Sequence, residues 1–219
     1  MPTTGTRCCS SPTCIRRAES CESCFSQSRS TRPSSSLTAR CSGFRPDRIL
    51  PQLVVKHQWL VEVLHMCYFS YYLYLPVVGG VLYVRDRSGF RRFIFSATVM
   101  FLVSYALYFI FPVLGPVEGR EMLFGGFFDT LVDLAYRMDT PGGAVPSSHI
   151  AVGLIAFLEA WRHNRLFGLL VAPFVIGLIL ATVSCGFHYG IDALSGIALF
   201  LVIVPVNDWM WNRWGRPNQ

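Results

Sequence analysis

Residues 166–184 read LFGLLVAPFVIGLILATVS, nineteen positions without one Asp, Glu, Lys or Arg. About 20 apolar residues in helical conformation cross the hydrocarbon core of a bilayer, and helices buried in soluble cores rarely sustain such a run. The stretch therefore reads as a membrane span. Working outward, similar apolar runs occupy 59–84, 93–111, 147–161 and 191–208. The first is aromatic-rich (Tyr68, Phe69, Tyr71, Tyr72, Tyr74) and interrupted by Pro76 and Gly79-Gly80. The pattern predicts an all-α polytopic transmembrane helical bundle with five visible spans.

Composition agrees. Of 219 residues, 52% are hydrophobic and only 15% charged, against roughly 25% charged in soluble domains. Charge is dense before Lys56 and sparse after it. The net charge of +6 would suit a nucleic-acid partner. However, the basic residues lie in the N-terminal tail and in short loops, and no basic patch interleaved with aromatics is present, so nucleic acid is not expected. Residues 1–48 are rich in Ser, Arg and Cys, with few aliphatics and almost no acids. They cannot bury enough apolar surface to offset their ordering entropy and are expected to be disordered. Six of the eight cysteines fall there, and the Cys21/Cys24 pair has no matching second pair for a metal. Cys67 and Cys185 sit in or beside apolar spans and read as small packing residues.

Loop charge sets the orientation. Arg85, Arg87, Arg91 and Arg92 follow the first span, Arg162 and Arg165 the third, and Arg213 and Arg216 the fifth. The 112–146 loop carries only Arg120 and Arg137 against five acids, and 185–190 carries no basic residue. Lys and Arg accumulate on the cytoplasmic side, so these last two loops are expected on the non-cytoplasmic face. Five spans also place residues 1–58, with nine basic residues, on that face. Either the bias is overridden there or a sixth membrane element lies in the N-terminal part. Trp209, Trp211 and Trp214 suit an interfacial anchor.

Two segments bring ionisable side chains to the mouth of a span, and a titratable residue at membrane depth is a functional hypothesis by default. The first is GGAVPSSH at 142–149. Pro146 tolerates a helix start, and the N–H groups that follow have no partner within a helix. With Ser147, Ser148 and the positive end of the helix dipole they form a cradle for phosphate. His149, one turn in, is placed to protonate a leaving alkoxide. The second segment is SCGFHYGID at 184–192. His188 and Asp192 are four apart, so on a helix they share one face. A carboxylate accepting from one imidazole nitrogen fixes the tautomer and leaves the other nitrogen as a nucleophile. Either string alone also fits an ordinary helix start. Elsewhere, Glu62 and His65 read as a buried hydrogen-bonded pair within the first span. Asp129, Asp133 and Asp139 read as the solvated face of an interfacial helix, and the Tyr68–Tyr74 stripe as helix packing and lipid contact.

Together the two segments resemble the type 2 phosphatidic acid phosphatase superfamily, which also includes vanadium haloperoxidases and phospholipid phosphotransferases. Pro146, Ser147, Ser148 and His149 match its Pro-Ser-x-His motif, and His188 with Asp192 its His-x-x-x-Asp motif. The resemblance covers roughly 59–208. Glu62, His65 and Tyr68, with Phe111-Pro112 and Gly115-Pro116, look most like the branch related to inositol phosphorylceramide synthases.

The resemblance implies six spans in the full family pattern, a membrane domain over 49–214, and no metal or cofactor. It implies hydrolysis of a lipid phosphate or diphosphate ester through a phosphohistidine formed on His188. Asp192 would orient that ring, His149 would act as acid and then base, and Ser147 and Ser148 would bind the phosphate. The alternatives are a phosphotransferase passing the phosphoryl or phospho-alcohol group to an acceptor alcohol, which shares the same histidines, and a lipid-binding relative with reduced catalysis. The chain departs from the family in its cations. A Lys and an Arg in the first motif and an Arg just before the nucleophile are usual, yet no Lys or Arg lies between Arg165 and Arg213. Arg120 is the expected replacement, unless it pairs with Glu118 or Glu121. The sequence leaves the head group and the oligomeric state open.

Overall fold

The computed structural model describes residues 50, 53–54, 56–113, 115, 126–137 and 143–215, with the backbone alone at 136, 137 and 215. Among these residues six helices run in order: α1 (Gln58–Arg85), α2 (Arg87–Ile110), α3 (Phe127–Arg137), α4 (Ser148–His163), α5 (Arg165–Ser184) and α6 (Gly190–Met210). A π-helical turn, Trp211–Gly215, follows α6. Among the described residues the only bridge is an isolated one between Val113 and Gly143, so the chain is an all-α polytopic bundle.

Each expected span is a helix, and the differences lie at the ends. α2 begins six residues before the apolar run, because the Asp86 carboxylate accepts the Gly89 N–H at 2.8 Å and caps the helix. Asp86 alone separates α1 from α2. Arg87, Arg91 and Arg92, expected in a loop, lie in the first two turns of α2. Asn164 does the same between α4 and α5, accepting from the N–H groups of Leu166 and Phe167 at 2.8 and 3.2 Å. Pro76 and Gly79-Gly80 do not interrupt α1, which stays helical through both.

α1, α2, α5 and α6 with its following turn are long and apolar enough to cross a bilayer. α4 has 16 residues, about 24 Å, and falls short of that length by itself. It is nevertheless the most enclosed helix. Ile150, Ala151, Val152, Gly153, Ile155, Ala156, Glu159 and Ala160 are buried, and α1, α2, α5 and α6 all pack around it. α2 buries only Gly89, Phe93, Ser96, Met100 and Ser104. That spacing is one helical stripe, and it turns Leu102, Tyr105 and Phe109 outward as lipid contact requires. α1 and α5 approach closely where Gly177 meets Cys67: a Cβ there would lie 2.5 Å from the Cys67 sulfur.

At the end where α4 finishes, Glu159 is fully buried. Its carboxylate accepts from Arg92 of α2 and Arg162 of α4, and Arg162 also pairs with Asp208 of α6. This network stitches three helices together at the basic end. Trp209 and Trp214 are exposed there and pack edge to face.

At the opposite end, α3 lies on α1. Asp129 was expected on a solvated face but is buried (5% exposed). Asp133 is half-buried, and Asp139 lies outside the described residues. Glu62 and His65, expected to bond each other, reach across to α3 instead. Glu62 Oε2 accepts the Phe128 N–H at 3.1 Å. His65 Nδ1 donates to the Val61 carbonyl at 2.8 Å, and its Nε2 lies 3.7 Å from Asp129 Oδ1. A helix laid on the bundle buries one of its faces, and these polar groups are what α1 offers to it.

Candidate active site

α4 and α6 begin side by side. The Ser147 N–H donates to the Asp192 carbonyl at 3.1 Å, so the two motif segments are joined backbone to backbone. Gly196 permits this approach, since a Cβ there would sit 2.6 Å from the Ser147 carbonyl oxygen. The join brings the rings of His149 and His188 to 6.4 Å between centroids.

His188 lies in the turn from α5 to α6. Gly186 adopts φ 68°, a left-handed conformation that reverses the chain. The N–H groups of Phe187 and His188 then both donate to the Thr182 carbonyl, at 3.1 and 2.9 Å. Because α6 starts only at Gly190, His188 and Asp192 do not share a helical face as the spacing predicts. Asp192 instead folds back to accept the Tyr189 N–H at 2.9 Å, as in one half of a capping box. Its Oδ2 stands 3.8 Å from His188 Nδ1, which is close enough for an ion pair and too long for a hydrogen bond. Both His188 Nδ1 and Asp192 Oδ1 are buried without a hydrogen-bond partner.

His149 is enclosed by α1. The rings of Tyr71 and Tyr68 lie 4.8 and 5.3 Å from its ring, and the Tyr72 hydroxyl is 3.4 Å from its Nε2. The tyrosine stripe thus wraps a candidate catalytic side chain rather than only packing helices. Phe187, next to His188, stacks on Tyr68 at 4.1 Å and continues the aromatic layer.

Two of the N–H groups expected to be free for phosphate are in use. The Ser147 N–H goes to Asp192. The Ser148 N–H donates to the Tyr108 hydroxyl at 3.2 Å, and that hydroxyl donates to the Pro146 carbonyl at 2.7 Å. The N–H groups of His149 and Ile150 come before the first helical bond, which Ala151 makes to the Ser147 carbonyl. Ser147 Oγ is buried without a partner, and Ser148 is half-buried. Arg120, Glu118 and Glu121 lie outside the described residues. Among those described, no Lys or Arg contacts either histidine. The arginines that form ion pairs, Arg92 and Arg162, do so with Glu159 and Asp208 at the far end of α4.

A family model described as the PAP2 superfamily matches residues 38–206. The chain belongs to the PAP2 superfamily. The match contains both His-bearing segments, all of α1–α5 and most of α6. No curated protein and no solved structure matches the chain. PAP2 proteins are in general phosphatases, and membership supports an enzyme with a phosphatase-type function. Its apolar helices make it an integral membrane protein.

Sequence reasoning missed Tyr108, Phe187 and the role of Tyr68, Tyr71 and Tyr72 in this PAP2 site. The last three sit at i, i+3 and i+4, a spacing that places them on one face of α1 and was available as a signal. Tyr108 and Phe187 carry no such pattern, because each meets the site only through the fold.

Proposed function

We propose that the protein hydrolyses a lipid phosphate or diphosphate ester through a phosphohistidine, with its site on the non-cytoplasmic face. The observation that carries this reading is the 6.4 Å pairing of His149 and His188 across a direct backbone bond. A phosphoryl group can sit between two such rings with reacting atoms about 3–3.5 Å from each. His188 Nδ1 faces Asp192, so Nε2 attacks phosphorus and forms the P–N bond. The bond from phosphorus to the lipid oxygen breaks, and His149 gives that oxygen its proton. Water then attacks phosphorus, His149 takes its proton, and the P–N bond breaks to release phosphate. The Ser147 hydroxyl and the N–H groups of His149 and Ile150 suit the phosphoryl oxygens.

One observation favours a second reading, transfer of a phospho-alcohol group to an acceptor alcohol. The segment carrying His188 has no Lys or Arg from 166 to 212, and its described partners are aromatic and carboxylate groups. Such surroundings suit a phosphodiester with one negative charge better than a doubly charged monoester. This is also the chemistry of the inositol phosphorylceramide synthase-like branch proposed from Glu62, His65 and Tyr68.

The experiment is phosphate release from a panel of purified lipid monophosphates and diphosphates, with and without an acceptor alcohol. Hydrolysis predicts inorganic phosphate in both conditions. Transfer predicts a new phosphodiester only with the acceptor. Unchanged turnover in His188→Ala refutes both.

A further inference from the structure

His188 lacks the hydrogen bond that would orient its ring, since Asp192 stays 3.8 Å away and bonds Tyr189. Beyond the two backbone bonds to the Thr182 carbonyl, side chains pack on the turn that carries it. The neighbouring residue Phe187 is 2% exposed, with its face on Tyr68 and the edge of His65 against it at 5.7 Å between centroids. Cys185, in the same turn, has its sulfur 3.9 Å from His65 Nδ1. His65 therefore contacts the turn on both sides of its apex.

Both ring nitrogens of His65 have partners. Nδ1 lies 2.8 Å from a backbone carbonyl, which can only accept, so Nδ1 carries hydrogen. Nε2 lies 3.7 Å from a carboxylate oxygen of Asp129. Nε2 thus faces Asp129 Oδ1 within ion-pair range. Both residues are buried, so this contact joins α3 to α1 where water does not compete.

We propose that His65 and Asp129 are positioning residues: the buried couple docks α3 on α1 and wedges Phe187, which holds the His188 turn in register with His149. The proposal rests on the assignment of His188 as the nucleophile for its catalytic consequence, but not for its structural one. The couple acts one aromatic layer behind the reacting atoms and does not touch them. It supplies the orientation that the Asp192 contact leaves undone.

The test uses the full chain in lipid nanodiscs with two readouts. The first is turnover of a lipid phosphate. Asp129→Asn keeps the shape and removes the charge, and should lower kcat about tenfold or more with KM within twofold, as loss of alignment does. Asp129→Glu should recover most of that loss. The second readout is the rate at which N-ethylmaleimide labels Cys185, measured at that residue by mass spectrometry without substrate. Opening of the turn should raise it about threefold or more in Asp129→Asn. Phe187→Leu leaves the couple intact but removes the wedge, and should raise it as well. Wild-type labelling in either variant overturns the proposal, and so does a fall in thermal midpoint with kcat per folded molecule unchanged. If the wild-type protein turns over no lipid phosphate, the nucleophile assignment fails by itself, and the labelling rates still decide the positioning role.

Discussion

Replacing Gly196 by alanine should separate the two halves of the site without unfolding the bundle. The added Cβ would stand 2.6 Å from the Ser147 carbonyl oxygen, 3.3 Å from its Cβ and 3.4 Å from its carbonyl carbon. Two of these atoms are backbone, so no side-chain rotation relieves the clash. Restoring an ordinary C···O contact of about 3.3 Å requires α4 and α6 to part by roughly 0.7 Å. The Ser147–Asp192 bond, now 3.1 Å, would lengthen past the limit of a hydrogen bond, and the two imidazoles would move apart with it. Overpacking costs about 1–3 kcal/mol. Alanine regains up to about 1 kcal/mol in helix propensity, so the net stability loss should stay below about 2 kcal/mol. Catalysis is less forgiving, because a misplacement near 1 Å costs about a hundredfold. Activity should therefore fall about 10- to 100-fold while the thermal midpoint falls only a few degrees. Gly80→Ala is the control, since nothing lies within 4 Å of a Cβ there. It should leave activity unchanged and slightly raise stability. Phosphate release per folded molecule, alongside a melting curve, reads both. Gly196→Ala activity within twofold of wild type would refute the reasoning.

The remaining predictions concern the turn, the network and the helix start. Gly186→Ala forces a side chain into a left-handed conformation (φ 68°). It should cost about 1–2 kcal/mol and reduce turnover; a melting curve matching wild type would contradict this. Glu159→Gln leaves Arg92 and Arg162 facing a buried neutral group and should destabilise by about 3 kcal/mol, as measured by thermal unfolding in detergent. The site is a full helix away, so kcat at low temperature should be unchanged. Tyr108→Phe removes the hydroxyl that bridges the Ser148 N–H and the Pro146 carbonyl. It should cost about 1–2 kcal/mol, and a freed Ser148 N–H should alter KM for the phosphate ester more than kcat. Equal changes in both would argue that the hydroxyl only fixes the fold.

Much of this was legible in the chain because the bilayer imposes a simple code. A run such as 166–184 can satisfy its backbone only as a helix, and α5 occupies it. Helix ends were less legible: hydropathy stops where charge begins, while Asp86 and Asn164 cap helices that carry arginines in their first turns. The His149 and His188 segments were visible because their residue types are costly at membrane depth. Their surroundings were not. Asp129 looks like a surface residue in its own helix, and only the docking of α3 on His65 makes it buried. Likewise His188 and Asp192 have helical spacing in sequence, but Gly186 and the Thr182 carbonyl take His188 out of the helix. Local spacing states what a helix would present, not where that helix starts.

The backbone hydrogen bond between Ser147 and Asp192 also has a consequence for biogenesis. Its donor and acceptor lie 45 positions apart (192 − 147), with a whole helical hairpin between them. As the polypeptide leaves the ribosome, the half-site bearing His149 is inserted well before its partner exists. By the proposed chemistry the nascent chain is inert until the His188 turn and α6 arrive beside His149. A chain cut between α5 and the His188 turn should be recoverable by supplying the missing piece in trans, with the backbone bonds to Ser147 and Thr182 re-forming the seam.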